Sequence, residues 1–266
     1  MHPFVALMRR YCIDYTSAHD ISQIETIMSD DYRITVSGRT MGLAQYRDAV
    51  IAAFRRYPSL TLTVHEIMMS GNRLAMRFSE HGALHGQGGE VSVWGGISLY
   101  QWDGERLLSC RVEQDFLGRD EQGVTGVTAP LEPPHPDPWA ATLSETANVL
   151  NEQLVRGWLM EYAKSPDEAG RFVRFLETGP ARPVLDPLTV EVEDIFSAGD
   201  RVAVSVTFRG EYCGGLQVDS AAVGMPGELP ANLIATVDEG DLIAVSMVRD
   251  RWGLARRLKA AAQGGG

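Results

Sequence analysis

The first part of the chain carries apolar residues at intervals of three and four, the spacing of one face of a helix. This pattern predicts an N-terminal helix with one buried stripe. The stripe is formed by Phe4, Leu7, Met8, Tyr11, Tyr15 and Ala18. Asp20 and Gln23 have the spacing of a capping box and predict a short helix over residues 21–28. Residues 43–56 predict a further helix, which ends before Pro58.

In the following segment the period changes to two, which is the period of a β-strand. Apolar and polar residues alternate over residues 60–65 and 74–79, and a Gly-Asn pair between them is a tight-turn signal. Two more strands are predicted over residues 91–100 and 107–115. Helices followed by a run of antiparallel strands predict an α+β domain whose helices pack on one face of the sheet.

A proline-rich segment divides the chain. Residues 119–138 contain five prolines and two glycines without a periodic apolar pattern, which is typical of a linker. We therefore assign residues 1–120 to a first domain that holds the site, residues 121–138 to the linker and residues 139–258 to a second domain. Residues 259–266 are predicted to be a flexible tail.

The second part of the chain repeats the first. Residues 64–71 (VHEIMMSG) match residues 192–199 (VEDIFSAG) at an offset of 128. Toward the end of each half the offset becomes 135, which aligns Asp115 with Asp250. Matching turns and strand ends in both blocks indicate an internal duplication.

Charge and composition narrow the function classes. The chain has 24 basic and 35 acidic residues, a net charge of −11, and an acidic surface repels phosphate backbones and anionic bilayers. We therefore expect neither nucleic acid nor a membrane as a partner. The absence of a signal peptide and of a run of 18 apolar residues predicts a cytoplasmic protein. All but two of the basic residues are arginine, which favours a bacterial source with a GC-rich genome.

The motifs of cofactor and metal enzymes are missing. The first half has no lysine, which excludes a Schiff-base or phosphate-loop lysine there, and no GxSxG, GxGxxG or HExxH sequence occurs. Cys12, Cys110 and Cys213 are isolated, so they indicate neither a disulfide framework nor a zinc site. His81 and His85 would be about 13 Å apart in a strand, too far to share a metal. We expect no cofactor and no metal.

The turns and strand ends of the first half follow a recognisable order. Residues 64–75 read V-x-E-x-x-x-x-G-N-R-x-A, and a G-x-x-x-G pair follows on the next strand. D-G-x-x-L at 103–107 precedes a last strand that ends in D-x-x-G at 115–118. This pattern resembles the nuclear transport factor 2-like superfamily, and within it the SnoaL-like branch with polyketide cyclases and ketosteroid isomerase-like proteins. The resemblance covers residues 4–120 and, more loosely, residues 141–258.

This resemblance implies an α+β fold of two tandem cone-shaped barrels. In each, a curved antiparallel sheet wraps around N-terminal helices and leaves a hydrophobic pocket. The second copy is expected to be degenerate and to close an internal pseudo-dimer with the first, while a further homodimer is left open. The superfamily includes acid–base enzymes and proteins without catalytic activity, so a shared fold does not give the function.

The resemblance implies that Asp115, at the end of the last predicted strand, is the general base. Alternation places Arg111 and Glu113 on the same face of that strand as Asp115. The opposite face carries Cys110, Val112 and Gln114. If the charged face lines the pocket, Arg111 would hold an oxyanion and Glu113 would contact the substrate. If it faces solvent, the three residues form a charge stripe, and Asp115 is not catalytic.

Glu80 is a second candidate for acid–base chemistry. It continues the apolar series that ends at Phe78, so both side chains are expected to face the pocket. The equivalent residue of the second copy is Phe208, and this contrast favours a functional acid in the pocket, with a carboxylate at the sheet rim as the alternative interpretation. His81 is its candidate partner, although the strand period directs it to the other face.

Four aromatic residues complete the predicted site. By resemblance to ketosteroid isomerase-like proteins, Tyr15 on the first helix would stabilise an oxyanion, with Tyr11 next to the substrate. Tyr32 and Trp94 are predicted to line the pocket. Aromatic residues on a helix stripe also build cores, so packing is the alternative interpretation of both helix tyrosines.

Together these residues predict cofactor-independent acid–base chemistry on a small hydrophobic, oxygenated substrate such as a polyketide, a steroid or an aromatic compound. The enzyme would be a cyclase, isomerase, dehydratase or lyase. One alternative is an epoxide hydrolase or cyclase with paired carboxylates, although residues 35–37 lack the acid that such relatives carry there. The other alternative is a non-catalytic module that binds a small molecule or serves in assembly.

Overall fold

The computed structural model describes residues 1–84, 91–140, 145–179 and 182–264, and its strands form two sheets. The strands of the first sheet are β1 (Met28–Val36), β2 (Arg39–Gly42), β3 (Thr61–Ser70), β4 (Arg73–Ala83), β5 (Val91–Trp102) and β6 (Leu107–Gln114). Their order is β2-β1-β6-β5-β4-β3. All neighbours are antiparallel except β1 and β6, which run parallel because β1 enters the sheet before the meander of β3 to β6 begins.

Helices of the first half cover one face of this sheet. They are α1 (Pro3–Arg10), α2 (Ile24–Ile27) and α3 (Leu43–Arg56), whereas α4 (Phe116–Thr125) follows β6 and lies against β5. The predicted N-terminal helix is present, but its second part, Tyr11–Ser17, is a π-helix, and Ala18 is exposed. The N-cap at Asp20 is confirmed, since its carboxylate accepts from the Ser22 amide at 3.1 Å, but Gln23 Nε2 donates to the same carboxylate at 2.9 Å and not to a backbone group as in a capping box.

The second half repeats the topology of the first. Its strands are β7 (Val173–Phe175), β8 (Leu185–Ala198), β9 (Arg201–Tyr212), β10 (Pro226–Asp238) and β11 (Asp241–Arg249). The order β7-β11-β10-β9-β8, with β7 parallel to β11, corresponds to β1-β6-β5-β4-β3 of the first sheet. The helices are α5 (Val149–Lys164), α6 (Pro166–Ala169) and α7 (Arg251–Gly264). The predicted α+β fold with two tandem copies is confirmed.

The two halves pack sheet to sheet. Buried side chains of both sheets form one apolar cluster, in which Ile97 and Leu99 of β5 meet Ile234 of β10 and Val248 of β11. Two ion pairs cross this interface at positions related by the repeat offset of 128. Arg73 of the first half pairs with Asp194 of the second, and Arg201 of the second pairs with Glu66 of the first. Such reciprocal contacts are those of a two-fold pair, here within a single chain.

The interior of the second half is packed with apolar side chains. Phe208, the counterpart of Glu80, is 1% exposed and its ring lies 5.6 Å from that of Tyr162. Val155 and Leu159 of α5 belong to the same core. The position equivalent to Glu80 is therefore filled by a packed ring.

The predicted linker and tail both need correction. Helix α4 extends through Thr125 into the predicted linker and ends where Gly126 adopts a φ of +70°. The segment that follows is held to the first sheet, since the His135 amide donates to the Val64 carbonyl at 3.1 Å. Residues 259–264 belong to α7 and are not a flexible tail, whereas residues 265–266 lie outside the described residues. No helix of the described chain is long and apolar enough to cross a membrane.

Candidate active site

A cavity of about 210 Å³ lies inside the first half, between its helices and the inner face of the sheet. The π-helical segment places Tyr11, Tyr15 and Thr16 on one wall, and α3 contributes Tyr46 and Phe54. π-Helical turns displace side chains from α-helical positions and are frequent at functional sites. Most of the lining is apolar, which makes the few polar groups the determinants of its chemistry.

Glu80 is the carboxylate of this cavity. It lies on β4 opposite Trp94 of β5, and among the described lining residues no other carboxylate is present. Burial raises the pKa of the Glu80 carboxyl to about 7, while the Arg119 charge and the Trp94 side chain favour the ionised form. A carboxyl group with this pKa can both accept and return a proton near neutral pH.

Arg119 of α4 supplies a cation to the same region. Its guanidinium lies over the rings of Phe116, Tyr57 and Trp94 at 4.6, 5.4 and 5.6 Å from their centroids. Asp120 holds the other side of this guanidinium at 2.9 Å. Stacking on three rings fixes the cation near Glu80, where it stabilises negative charge.

Trp94 and Gln114 connect neighbouring strands at the cavity wall. The Trp94 indole Nε1 donates to Gln114 Oε1 at 2.7 Å. Gly96 of β5 lies between Phe78 of β4 and Gln114 of β6 and leaves room for both side chains. A Cβ atom at this position would lie 2.5 Å from Phe78 Cζ and 3.0 Å from Gln114 Cγ. The glycine therefore allows both side chains to occupy the inner face of the sheet.

Hydroxyl groups form the opposite wall. The Tyr11 and Tyr46 hydroxyls are 3.2 Å apart and bond to each other. The buried Tyr15 and Thr16 hydroxyls have no hydrogen-bond partner among the described residues. Burial raises the pKa of Tyr15 far above its usual value, so its hydroxyl stays protonated and can donate to an oxygen in the cavity.

Comparison with protein families identifies this half. Residues 8–109 match the family described as the SnoaL-like domain. We refer to the first half, which carries this match, as the SnoaL-like domain. None of the curated proteins matches the sequence.

Several solved structures are similar to part of the chain. TsrD from Streptomyces laurentii is 20% identical, with 46% of this chain and 94% of that chain covered and a TM-score of 0.41. IdmH from Streptomyces antibioticus is 16% identical, with 48% and 100% covered and a TM-score of 0.42. A SnoaL-like polyketide cyclase from Agrobacterium tumefaciens is 18% identical, with 44% and 96% covered and a TM-score of 0.37.

Five of the residues predicted for the site line the cavity of the SnoaL-like domain, namely Tyr11, Tyr15, Phe78, Glu80 and Trp94. Gln114, which was assigned from the sequence only to a strand face, lines the cavity as well. The question of which face of β6 lines the pocket is thus decided in favour of Cys110, Val112 and Gln114.

Asp115 does not line the cavity, which corrects its assignment as the general base. It is 1% exposed and caps α4, accepting from the Gly118 amide at 3.1 Å. Its carboxylate also accepts from the Thr178 amide at 2.7 Å and pairs with Arg251 at 2.8 Å. Asp115 therefore joins the SnoaL-like domain to the second half, and its lone pairs are occupied.

Arg111 and Glu113 also face the second half and not the cavity. Arg111 pairs with Glu193 at 3.2 Å. Glu113 is buried beside Asp250 and accepts from the Ser37 amide at 3.2 Å. Burial and the neighbouring Asp250 raise the pKa of Glu113. Neither side chain can hold a substrate in the cavity.

The predictions for His81 and Tyr32 are wrong for different reasons. His81 lies outside the cavity lining and bonds to Thr63 Oγ1 at 3.1 Å, as its strand period indicated. Tyr32 is fully buried in the core, with its ring 5.8 Å from that of Tyr46, and does not line the cavity. His85 lies outside the described residues.

Sequence reasoning missed Arg119 and Tyr46. Arg119 falls one turn after the last strand, in a segment interpreted as the beginning of a linker, and only the position of α4 brings it to the cavity. Tyr46 belongs to a helix whose buried face is narrow, so its apolar period carries little information. For Gln114 a signal existed, because it shares the strand face of the apolar Val112.

Proposed function

We propose that the cavity of the SnoaL-like domain is the active site of a cofactor-independent acid–base enzyme that acts on a small apolar, oxygenated molecule such as an aromatic polyketide. The observation that supports this is Glu80, a carboxyl group in an apolar cavity with a pKa of about 7. The match of this half to the SnoaL-like domain agrees with a cyclase or isomerase.

In the proposed reaction Glu80 removes a proton from a carbon next to a carbonyl group. The electrons of the C–H bond move to the carbonyl oxygen, which becomes an enolate. The unpaired hydroxyl of Tyr15 donates to this oxygen, and the fixed cation of Arg119 lowers the energy of the negative charge. Cyclisation, isomerisation, dehydration and carbon–carbon cleavage all share this first step.

An epoxide-opening reaction has less support. That chemistry, as proposed from the sequence, requires two carboxylates in one pocket, and the described lining residues contain only Glu80. A non-catalytic binding module is the remaining alternative. It would retain the apolar cavity and its affinity for ligands but would not use the proton of Glu80.

A generic proton-abstraction substrate tests the proposal without knowledge of the natural one. In 5-nitrobenzisoxazole, removal of the ring C–H proton forms a nitrile, breaks the N–O bond and releases a coloured phenolate. We expect saturable turnover by the wild-type protein, and a loss of about 10²- to 10⁴-fold in kcat/KM in Glu80→Gln. The rate should rise with pH and level off above an inflection near 7, where Glu80 ionises.

Glu113→Gln is the matched control, because it alters a second buried carboxyl of raised pKa that lies outside the cavity. Its turnover should equal that of the wild type. Binding of the probe without turnover by the wild type, or equal turnover by Glu80→Gln, would contradict the acid–base function and favour the binding module.

A further inference from the structure

A groove beside the cavity is lined by residues of both halves. It has a volume of about 430 Å³ and runs between the β1–β2 turn of the first half and α7 of the second. Val36, Met41 and Phe116 belong to the walls of both the groove and the cavity. The two spaces therefore adjoin at these three side chains, and a substrate with one part in each would pass beside them.

The groove carries unpaired positive charge. Arg39 and Arg256 line it and are exposed, and neither forms an ion pair with any described residue. The Arg256 guanidinium lies 4.5 Å over the Trp252 ring, which orients it without neutralising it. Arg257 is different, because it is paired with Asp250 at 3.4 Å. In a chain with a net charge of −11, two free cations in one groove select for an anion.

Contacts of Trp252 connect this groove to the polar groups of the cavity. Its indole Nε1 donates to Asp120 Oδ2 at 3.0 Å, and its ring lies 5.9 Å from that of Phe116. Asp120 in turn pairs with Arg119 at 2.9 Å, and Arg119 lines the cavity. Trp252, and with it the Arg256 guanidinium over its ring, is thus held in place relative to the proposed catalytic residues.

We propose that the groove binds an anionic group, a carboxylate or a phosphate, that the substrate carries beyond the part seated in the cavity. The inference rests on the proposed function in that it places the apolar part of the substrate beside Glu80. Guanidinium groups bind both kinds of anion through paired hydrogen bonds. The second half, whose own interior holds Phe208 in place of the acid, then contributes Arg256 and Trp252 to substrate binding.

Three probes test this inference. Each has a naphthalene ring on a three-carbon chain, which ends in a carboxylate, a phosphate monoester or a neutral primary amide. By calorimetry at low salt we expect at least one anionic probe to bind the wild type about tenfold more tightly than the amide, a difference that salt reduces. Tighter binding of the carboxylate probe would indicate that the natural substrate is a free acid. Tighter binding of the phosphate probe would indicate a substrate attached to a phosphate-bearing carrier.

Substitutions assign the preference to the groove. Arg39→Gln and Arg256→Gln should each reduce the preference for the anion to about twofold and leave the affinity for the amide unchanged. Arg256→Lys, which keeps the charge but loses the paired hydrogen bonds of the guanidinium, should give an intermediate preference. Arg9→Gln is the matched control, because Arg9 is exposed on α1 and lines none of the described cavities.

Two results would overturn the inference: equal affinity of the wild type for all three probes, or a preference that persists in the Arg39→Gln, Arg256→Gln double variant. The naphthalene ring expected beside Glu80 carries no acidic C–H bond, so the result is independent of catalysis. Benzisoxazole turnover without a charge preference would refute the groove alone. A charge preference without turnover would refute the acid–base function alone.

Discussion

Opposing influences act on the carboxyl group of Glu80. Burial disfavours its charge, whereas Arg119 and Trp94 favour it, and the balance leaves its pKa near 7. Burial also raises the pKa values of Tyr11, Tyr15 and Tyr46 in the same cavity, and no cation of the described residues offsets its effect there. The cavity therefore holds one carboxyl group that can exchange a proton near neutral pH and several hydroxyl groups that remain protonated. This difference allows the carboxyl group to act as acid or base while a hydroxyl group binds an oxyanion.

The raised pKa of Glu80 also predicts a pH-dependent loss of stability. Between about pH 4.5 and 7 the folded protein retains a proton that the unfolded chain releases, so the free energy of unfolding falls as the pH rises. Glu80→Gln should therefore be more stable than the wild type by about 2–3 kcal/mol at pH 8 and nearly equal to it at pH 4. Urea unfolding at both pH values measures this. A variant less stable than the wild type at pH 8 would contradict it.

Strand β6 shows how a single element serves two environments. Its alternation directs Cys110, Val112 and Gln114 into the cavity and directs Arg111 and Glu113 toward the second half. The period of the sequence identified these two sets of residues. It could not identify which set was internal, because both faces of β6 are covered.

Gly96 of β5 gives a prediction at the level of the strand. Gly96→Ala would place a methyl group against Phe78 and Gln114 and should destabilise the protein by about 1–3 kcal/mol, as overpacking does. Phe78→Leu in the same chain should recover part of this loss in thermal unfolding. Gly157→Ala is the control, because nothing lies near that position in α5 and alanine favours the helix. Equal effects of both alanines would contradict the packing argument.

At the scale of the whole molecule, buried charges join the two halves. Asp115 pairs with Arg251 at 2.8 Å, Arg251 with Glu177 at 3.0 Å and Glu177 with Arg249 at 2.7 Å. All four side chains are at most 7% exposed. Removal of one member of such a network leaves its partner buried and uncompensated.

Asp115→Asn should therefore destabilise the protein by about 3 kcal/mol, as measured by urea unfolding. Asp31→Asn is the control, because Asp31 is exposed, and its free energy of unfolding should stay within about 0.5 kcal/mol of the wild type. Because Asp115 lies outside the cavity, kcat/KM of the folded variant with 5-nitrobenzisoxazole should stay within twofold of the wild type. A stable Asp115→Asn protein that has lost turnover would restore the assignment of this residue as the base.

The sequence by itself determined most of the elements of the first half, the duplication and the acid of the cavity, but not α4, which extends into the segment interpreted as a linker. The helical and strand periods, the turn residues and the capping signal at Asp20 are local features of the sequence. They can be interpreted without knowing which distant residues pack against each element. Comparison of the two copies identified Glu80, since a carboxylate replaced by Phe208 in an equivalent core position does not serve packing.

Only the tertiary structure decided which charged groups reach the cavity. Asp115 follows the expected motif, but the second half packs against its end of the sheet, so its carboxylate contacts Arg251 and Thr178 outside the cavity. Arg119 enters the site because α4 folds back toward Trp94 across strands distant in sequence. The groove of Arg39 and Arg256 joins residues more than 200 positions apart. Contacts of this kind depend on how helices and sheets pack against each other, and the periodicity of the sequence does not contain this information.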